Sequence, residues 1–175
     1  MKTVRTAAKF LALLLVLTFV LLPFVGCGKK TEPQNVITTA TQTGDGAGGN
    51  NTPAKLCTVV VATEPETVYQ VDLNQVTVDN GLISVLEYLK ENEGFTYETK
   101  DTGYGAFLTK VLTLDSASIE NGFITLLTSV EKDFDVTSYA VEQTYNGTKI
   151  VTSGLGASSM TIEAGAVYYI ALSSY

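Results

Sequence analysis

One stretch of this chain repeats its apolar residues at helical spacing. Leu82, Val85, Leu86 and Leu89 fall at i, i+3, i+4 and i+7, with Ser84, Glu87, Lys90 and Glu91 on the other side. That is the pattern of a helix with one face against a core. Asn80 is a candidate N-cap and Gly94 a candidate stop, because a short polar side chain can accept an unpaired amide and glycine adopts the left-handed conformation that ends a helix. The other apolar segments are short, β-branched or aromatic, and bounded by turn formers: Leu56–Ala62, Thr67–Leu73, Gln75–Val78, Phe95–Glu98, Ala106–Leu114, Phe123–Val130, and Met160–Ile162 joined to Ala166–Leu172 across Glu163-Ala164-Gly165. Such runs read as strands. One helix among many strands predicts an α+β domain, a mostly antiparallel sheet with one helix packed on it. A β-grasp-like arrangement is the specific expectation and a two-sheet sandwich the alternative.

The sharpest local signal is Asn146-Gly147, set between Val141–Tyr145 and Thr148–Val151. Both residues tolerate the positive φ that a two-residue type I′ hairpin requires. Counting outward pairs Tyr145 with Thr148 and Gln143 with Ile150. Val141, Tyr145 and Ile150 then share one face and Glu142, Thr144 and Lys149 the other, which predicts one buried and one wet side. Leu56–Ala62 instead has apolar residues on both faces, as in a strand covered on both sides. Cys57, inside that run and without a Lys or His neighbour, reads as a small buried hydrophobe.

The N-terminal residues have a different organisation. Lys2, Arg5 and Lys9 precede an apolar run of 13 residues from Phe10 to Leu22, and Gly26-Cys27 supplies small residues for processing. This is the build of an export signal over residues 1–26. Phe10 to Val25 spans 16 residues with Pro23 inside, short of the roughly 20 that a membrane-crossing helix needs. Leu22-Pro23-Phe24-Val25-Gly26-Cys27-Gly28-Lys29-Lys30 resembles the lipobox of bacterial lipoproteins, with Phe24 where that pattern usually has Leu. The resemblance implies that Cys27 is the lipid-modified first residue of the mature protein. Membrane lipid is then its partner through Cys27, and its location is the extracellular face of the cell membrane. Residues 27–54 read as the lipidated Cys and a flexible tether, since Gly28–Pro53 is rich in Thr, Gly, Asn and Gln and shows almost no apolar periodicity. Residues 55–175 are long enough for one domain with its own core.

Charge and missing residue types exclude several functions. Removing residues 1–26 takes three of the 11 basic residues and no acid, leaving 8 Lys against 18 Asp and Glu, a formal charge of −10. The remainder contains no Arg, His or Trp. Nucleic-acid binding, which needs a basic footprint, is not expected. Without histidine no Ser-His-Asp or Cys-His device exists, and with Cys57 as the one cysteine beyond Cys27 neither a disulfide nor a zinc site is expected. Gly103-Tyr104-Gly105 and Gly154-Leu155-Gly156 lack the lysine and helix of a phosphate loop and read as turn glycines. No cofactor and no enzymatic activity are expected.

Two groups of residues remain as candidates. Glu131-Lys132-Asp133-Phe134-Asp135 clusters carboxylates that could offer hard oxygen ligands to Ca²⁺. Thr137 and Ser138 stand where an EF-hand needs a ligand and a glycine, so a solvated turn is the favoured reading and no metal is assigned. The aromatics are the better binding groups, nine Tyr and four Phe beyond residue 26, because Tyr joins a rigid apolar ring to a polar tip. Tyr104, between two glycines where a ligand could approach, Gly105 beside it, and Tyr97, sharing a strand face with Phe95, are the candidate ligand-binding residues. The bland alternative is that Phe95 and Tyr97 are core and Tyr104 is a loop aromatic.

Four blocks resemble one family in turn: Cys57-Thr58-Val59-Val60-Val61, Gly81–Leu89, Tyr104-Gly105-Ala106-Phe107-Leu108, and Glu163-Ala164-Gly165-Ala166-Val167-Tyr168-Tyr169. The family is a domain of unknown function similar to the C-terminal domain of transcobalamin, found in surface lipoproteins of Gram-positive bacteria. The resemblance, over Lys55 to Tyr175, implies a β-grasp-like fold and ligand binding. In transcobalamin this domain shares cobalamin with a large helical domain that is not present here. The expectation is a non-catalytic module binding an extracellular ligand or a surface protein. The alternatives are a structural or adhesive display domain and an accessory cobalamin-binding domain.

Overall fold

The computed structural model describes residues 35–38, 53–102 and 105–175. The expected export signal, Cys27, most of the expected tether and Tyr104 lie outside them. Among the described residues the order is β1 (Asn35–Thr38), β2 (Leu56–Val61), β3 (Thr67–Asp72), α1 (Gly81–Glu93), β4 (Tyr97–Thr102), β5 (Gly105–Val111), β6 (Leu114–Asp115), β7 (Gly122–Thr128), β8 (Glu142–Tyr145), β9 (Thr148–Thr152) and β10 (Val167–Ser174). The strands form a seven-stranded sheet ordered β1-β3-β2-β10-β7-β9-β8 and a three-stranded sheet ordered β4-β5-β6. Pairing is antiparallel except where β1 runs beside β3 and β10 beside β2. The described residues are thus α+β, mostly strand, with one α-helix and antiparallel-dominated sheets. β1 falls within the segment expected as tether.

The periodicity of α1 positions it as expected. Leu82, Val85, Leu86 and Leu89 are fully buried while Lys90 and Glu91 are exposed. They pack on Val59 and Val61 of β2, Tyr69 and Val71 of β3, and Tyr168 and Ile170 of β10. Each such fully buried side chain contributes about 1.5–3 kcal/mol, which is what holds helix to sheet. Gly94 ends the helix in the left-handed region, as expected. Asn80 does not cap it by side chain. The hydroxyl of Ser84 accepts the Asp79 and Asn80 amides at 3.2 and 2.9 Å and donates to Asp79 Oδ1 at 3.0 Å, so a serine one turn inside does that work.

The sheet is also covered at its centre on the face away from α1. Val60, Val68, Leu127, Ile150 and Val167 form a second buried cluster flanked by Tyr145 and Tyr169. The two-faced burial expected of β2 follows, Val59 lying in one cluster and Val60 in the other. The β8–β9 hairpin has the predicted register, Tyr145 with Thr148 and Gln143 with Ile150, and Asn146 and Gly147 hold φ of 47° and 83°. Its expected wet face is not wet throughout. Val151, on the side of Lys149, is buried and paired with the buried Thr128 of β7.

Four expected strands are corrected. Gln75–Val78 is not a strand; Leu73–Gln75 is a 3-10 turn whose start is capped by Asp72 Oδ1, which accepts the Asn74 amide at 3.0 Å. Phe95 leaves its expected strand to enter the core, edge-on to Tyr69 at 5.3 Å, and β4 begins only at Tyr97. Ala106–Leu114 is broken by a turn in which Leu112 takes a φ of 50°. Met160–Ile162 carries no strand, because side chains rather than a ladder hold it: Thr161 bonds to Asp133, and Tyr168 Oη donates to Thr161 O at 2.8 Å while accepting the Glu163 amide at 2.9 Å.

Candidate ligand-binding cleft

β9 stays beside β7 only briefly. Leu127 pairs with Thr152 and Thr128 with Val151, Ser153 N–H donates to Leu126 O at 2.8 Å, and the chain then turns away through Gly154-Leu155-Gly156. Ser153 braces that turn, its hydroxyl donating to Leu155 O at 3.0 Å and accepting the Leu155 amide at 3.1 Å. β5 approaches the gap from the smaller sheet. Between β5, β7 and the turn lies an open cleft of about 360 Å³, within the size range of small-ligand sites.

The walls combine large apolar side chains with a few hydroxyls. Phe107 from β5, Phe123 from β7, Leu155 from the turn and Tyr175 border the cleft, and none of the described lining residues carries a charged side chain. Phe107 is 46 % and Leu155 40 % exposed. Tyr175 stacks on Phe123, rings 4.6 Å apart and 26° from parallel. A large exposed apolar side chain loses favourable burial, and Phe107, Leu155 and Tyr175 are all exposed around this one hollow.

Of the residues singled out from sequence, Gly105 lines this cleft. It opens β5 with a φ of 102°, and its carbonyl accepts from Thr102 Oγ1 at 2.8 Å. The positive φ calls for glycine, and a Cβ there would lie 2.7 Å from Ser158 Oγ, a hydroxyl that would have to rotate away. Tyr97 is not brought to Gly105. It pairs with Val111 at one end of the β4–β5 hairpin while Gly105 pairs with Thr102 at the other. Its ring tilts on Phe95 at 6.5 Å and lies under Lys90 Nζ at 5.5 Å. Burial first, then the negative charge of Glu87, pushes its phenol up to about 12; Glu87 also holds Lys90 at 3.1 Å. These contacts make Tyr97 a brace between α1 and the smaller sheet.

The carboxylate cluster does not form a solvated turn throughout. Asp133 is buried, and its carboxylate accepts the Thr161 amide at 2.6 Å and Thr161 Oγ1 at 2.9 Å. Asp135 bonds locally to Thr137 N and Oγ1 at 2.8 and 2.9 Å. Among the described residues no group of three or more His, Cys, Asp or Glu could hold a metal ion. Cys57 is buried as expected, and burial pushes its thiol up to about 12. Among the described residues no helix is long and apolar enough to cross a membrane.

No family model matches the chain. No curated protein matches it. Among solved structures, a Ruminococcus gnavus protein described as a "putative metal binding protein" is similar at 16 % identity and a TM-score of 0.43, over 69 % of this chain and 97 % of that one.

Phe123, Leu155 and Tyr175 were not singled out from sequence, because three distant segments supply them. One signal was available for Leu155: a bulky apolar residue between two glycines, the same pattern that drew attention to Tyr104.

Proposed function

We propose that this chain is an exported lipoprotein, anchored through Cys27 at the extracellular face of the cell membrane, whose domain is a non-catalytic module binding its ligand in the cleft between β5 and β7. The observation that carries the reading is the uncharged, aromatic-rimmed cleft in a chain with a formal charge of −7. Among the described lining residues there is no Asp, Glu, Lys, Arg, His or Cys side chain to move a proton, which supports a binding rather than a catalytic reading. A β-grasp-like arrangement fits the order of elements: a first hairpin β2–β3, then α1, with the last strand β10 lying parallel to β2 between the two halves of the sheet. The resemblance to the transcobalamin-like domain of surface lipoproteins points the same way.

Two measurements test the proposal. A fatty-acid probe fed to the producing bacterium should label the wild-type protein and not Cys27→Ser; equal labelling defeats the anchor. The unlipidated Cys27→Ser protein, incubated with an extract of the cell envelope and examined by native mass spectrometry, should carry an adduct that Phe107→Ala reduces at least fivefold. No adduct, or one indifferent to Phe107, defeats the cleft.

A further inference from the structure

The cleft coincides with a break in the pairing of β7. In an antiparallel ladder successive residues direct their peptide groups to opposite neighbours. Ser129 N–H donates to Val167 O at 3.0 Å, so with the observed register Leu127, Thr125 and Phe123 also turn theirs toward β10, and Ile124 and Leu126 turn theirs away. On that far side Ser153 takes the Leu126 carbonyl, and the pairing with β9 goes no further. The amide and carbonyl of Ile124 and the amide of Leu126 therefore face the cleft side without a neighbouring strand. β5 repeats the arrangement, being paired with β6 only at Lys110 and Val111, so Gly105–Thr109 has one unpaired edge. Ala106, Leu108, Ile124 and Leu126 all line the cleft.

The side chains narrow the ligand class. Among the described lining residues no charged side chain is present to hold an ion. The Thr and Ser hydroxyl protons are already committed: Thr102 donates to Gly105 O, Thr125 to Ser173 Oγ at 2.7 Å, Thr152 to Val141 O at 3.3 Å and Ser153 to Leu155 O, leaving the Tyr175 phenol as the open hydroxyl of the described lining residues. A sugar, recognised through a rim of hydroxyls, would find few donors. What the site offers is main-chain donors and acceptors at strand spacing between apolar walls, the requirements of strand addition.

We propose that the cleft takes an extended, uncharged polypeptide segment, which adds as a strand to the open half of β7 and seats its side chains against Phe107 and Leu155. This rests on the cleft being the binding site and names its ligand. The test uses the unlipidated Cys27→Ser protein, a pooled library of uncharged hexapeptides, the same pool with every amide N-methylated, and 2-naphthol as a peptide-free apolar probe. Before addition, the Ile124 and Leu126 amides should exchange with solvent faster than those of Thr125 and Leu127. The hexapeptide pool should slow exchange at Ile124 and Leu126 at least tenfold, and the N-methylated pool should not. Binding of both pools alike, or binding without slowed exchange at these two amides, overturns strand addition. If the pool fails and 2-naphthol shifts the Phe107 and Leu155 resonances, strand addition is wrong and the cleft stands as an apolar site. If neither probe perturbs these residues, both readings fall.

Discussion

The carboxylate of Asp133 holds Thr161 twice, through the amide and the hydroxyl, across 28 residues of chain. Asp133 is 2 % exposed, and a buried carboxylate is tolerable only where its lone pairs are satisfied. This contact fastens the segment before β10 to the turn after β7.

Replacing Asp133 with Ala leaves a Thr161 amide without its acceptor. Hydrogen bonds to a charged group are each worth about 1.5–3 kcal/mol, so Asp133→Ala should lower unfolding free energy by roughly 3–5 kcal/mol. Asp133→Asn, which keeps one acceptor oxygen, should lose less. Urea denaturation of the three proteins measures this; equal stability would remove the contact's structural role.

Tyr168 is fully buried with its hydroxyl donating to Thr161 O and accepting from Glu163 N. Tyr168→Phe keeps the ring and strands both partners, at a cost of about 1–3 kcal/mol. In the Asp133→Ala background the loss should be smaller, because both groups hold Thr161. A double-mutant cycle checks the coupling, and strict additivity would show that the two act independently.

Cys57 sets an alkaline limit. Its thiol is raised from 9.0 to about 12 in the folded protein by burial, so the folded state holds a proton that the unfolded chain releases above pH 9. Stability is fully present below about pH 9 and is lost as pH rises toward 12. Three units at about 1.4 kcal/mol each give a loss on the order of 4 kcal/mol, and Tyr97, raised from 10.0 to about 12, adds to it in the same direction. Urea midpoints between pH 8 and 11 should fall with pH, less steeply in Cys57→Ala. In the Cys27→Ser protein at pH 8, Cys57 should resist a thiol reagent until the chain unfolds.

Phe107 is half exposed and borders the cleft. Phe107→Ala should leave thermal stability within about 0.5 kcal/mol, as surface changes do, and weaken ligand binding by roughly 1–3 kcal/mol, the scale of an aromatic contact at a site. Calorimetric titration beside a thermal melt separates the two effects. A strongly lowered melt would make Phe107 structural.

α1 and the β8–β9 hairpin were legible in the residues because their causes are local. The i, i+3, i+4 spacing of Leu82, Val85, Leu86 and Leu89 selects one helix face, and Asn146-Gly147 sets a turn that determines pairing on either side. Cys57 was legible for a related reason, since no neighbour in its run offers a charge. The strand expected at Met160–Ile162 was not, because the bonds that replace a ladder there come from Asp133, 28 residues away, and from Tyr168. The placement of β10 beside β2, and the parting of β9 from β7 that opens the cleft, also depend on distant partners. Periodicity and turn chemistry act over a few residues. Which edges close and which stay open depends on how two sheets and one helix share their buried surface, and that is settled only when all of them are packed together.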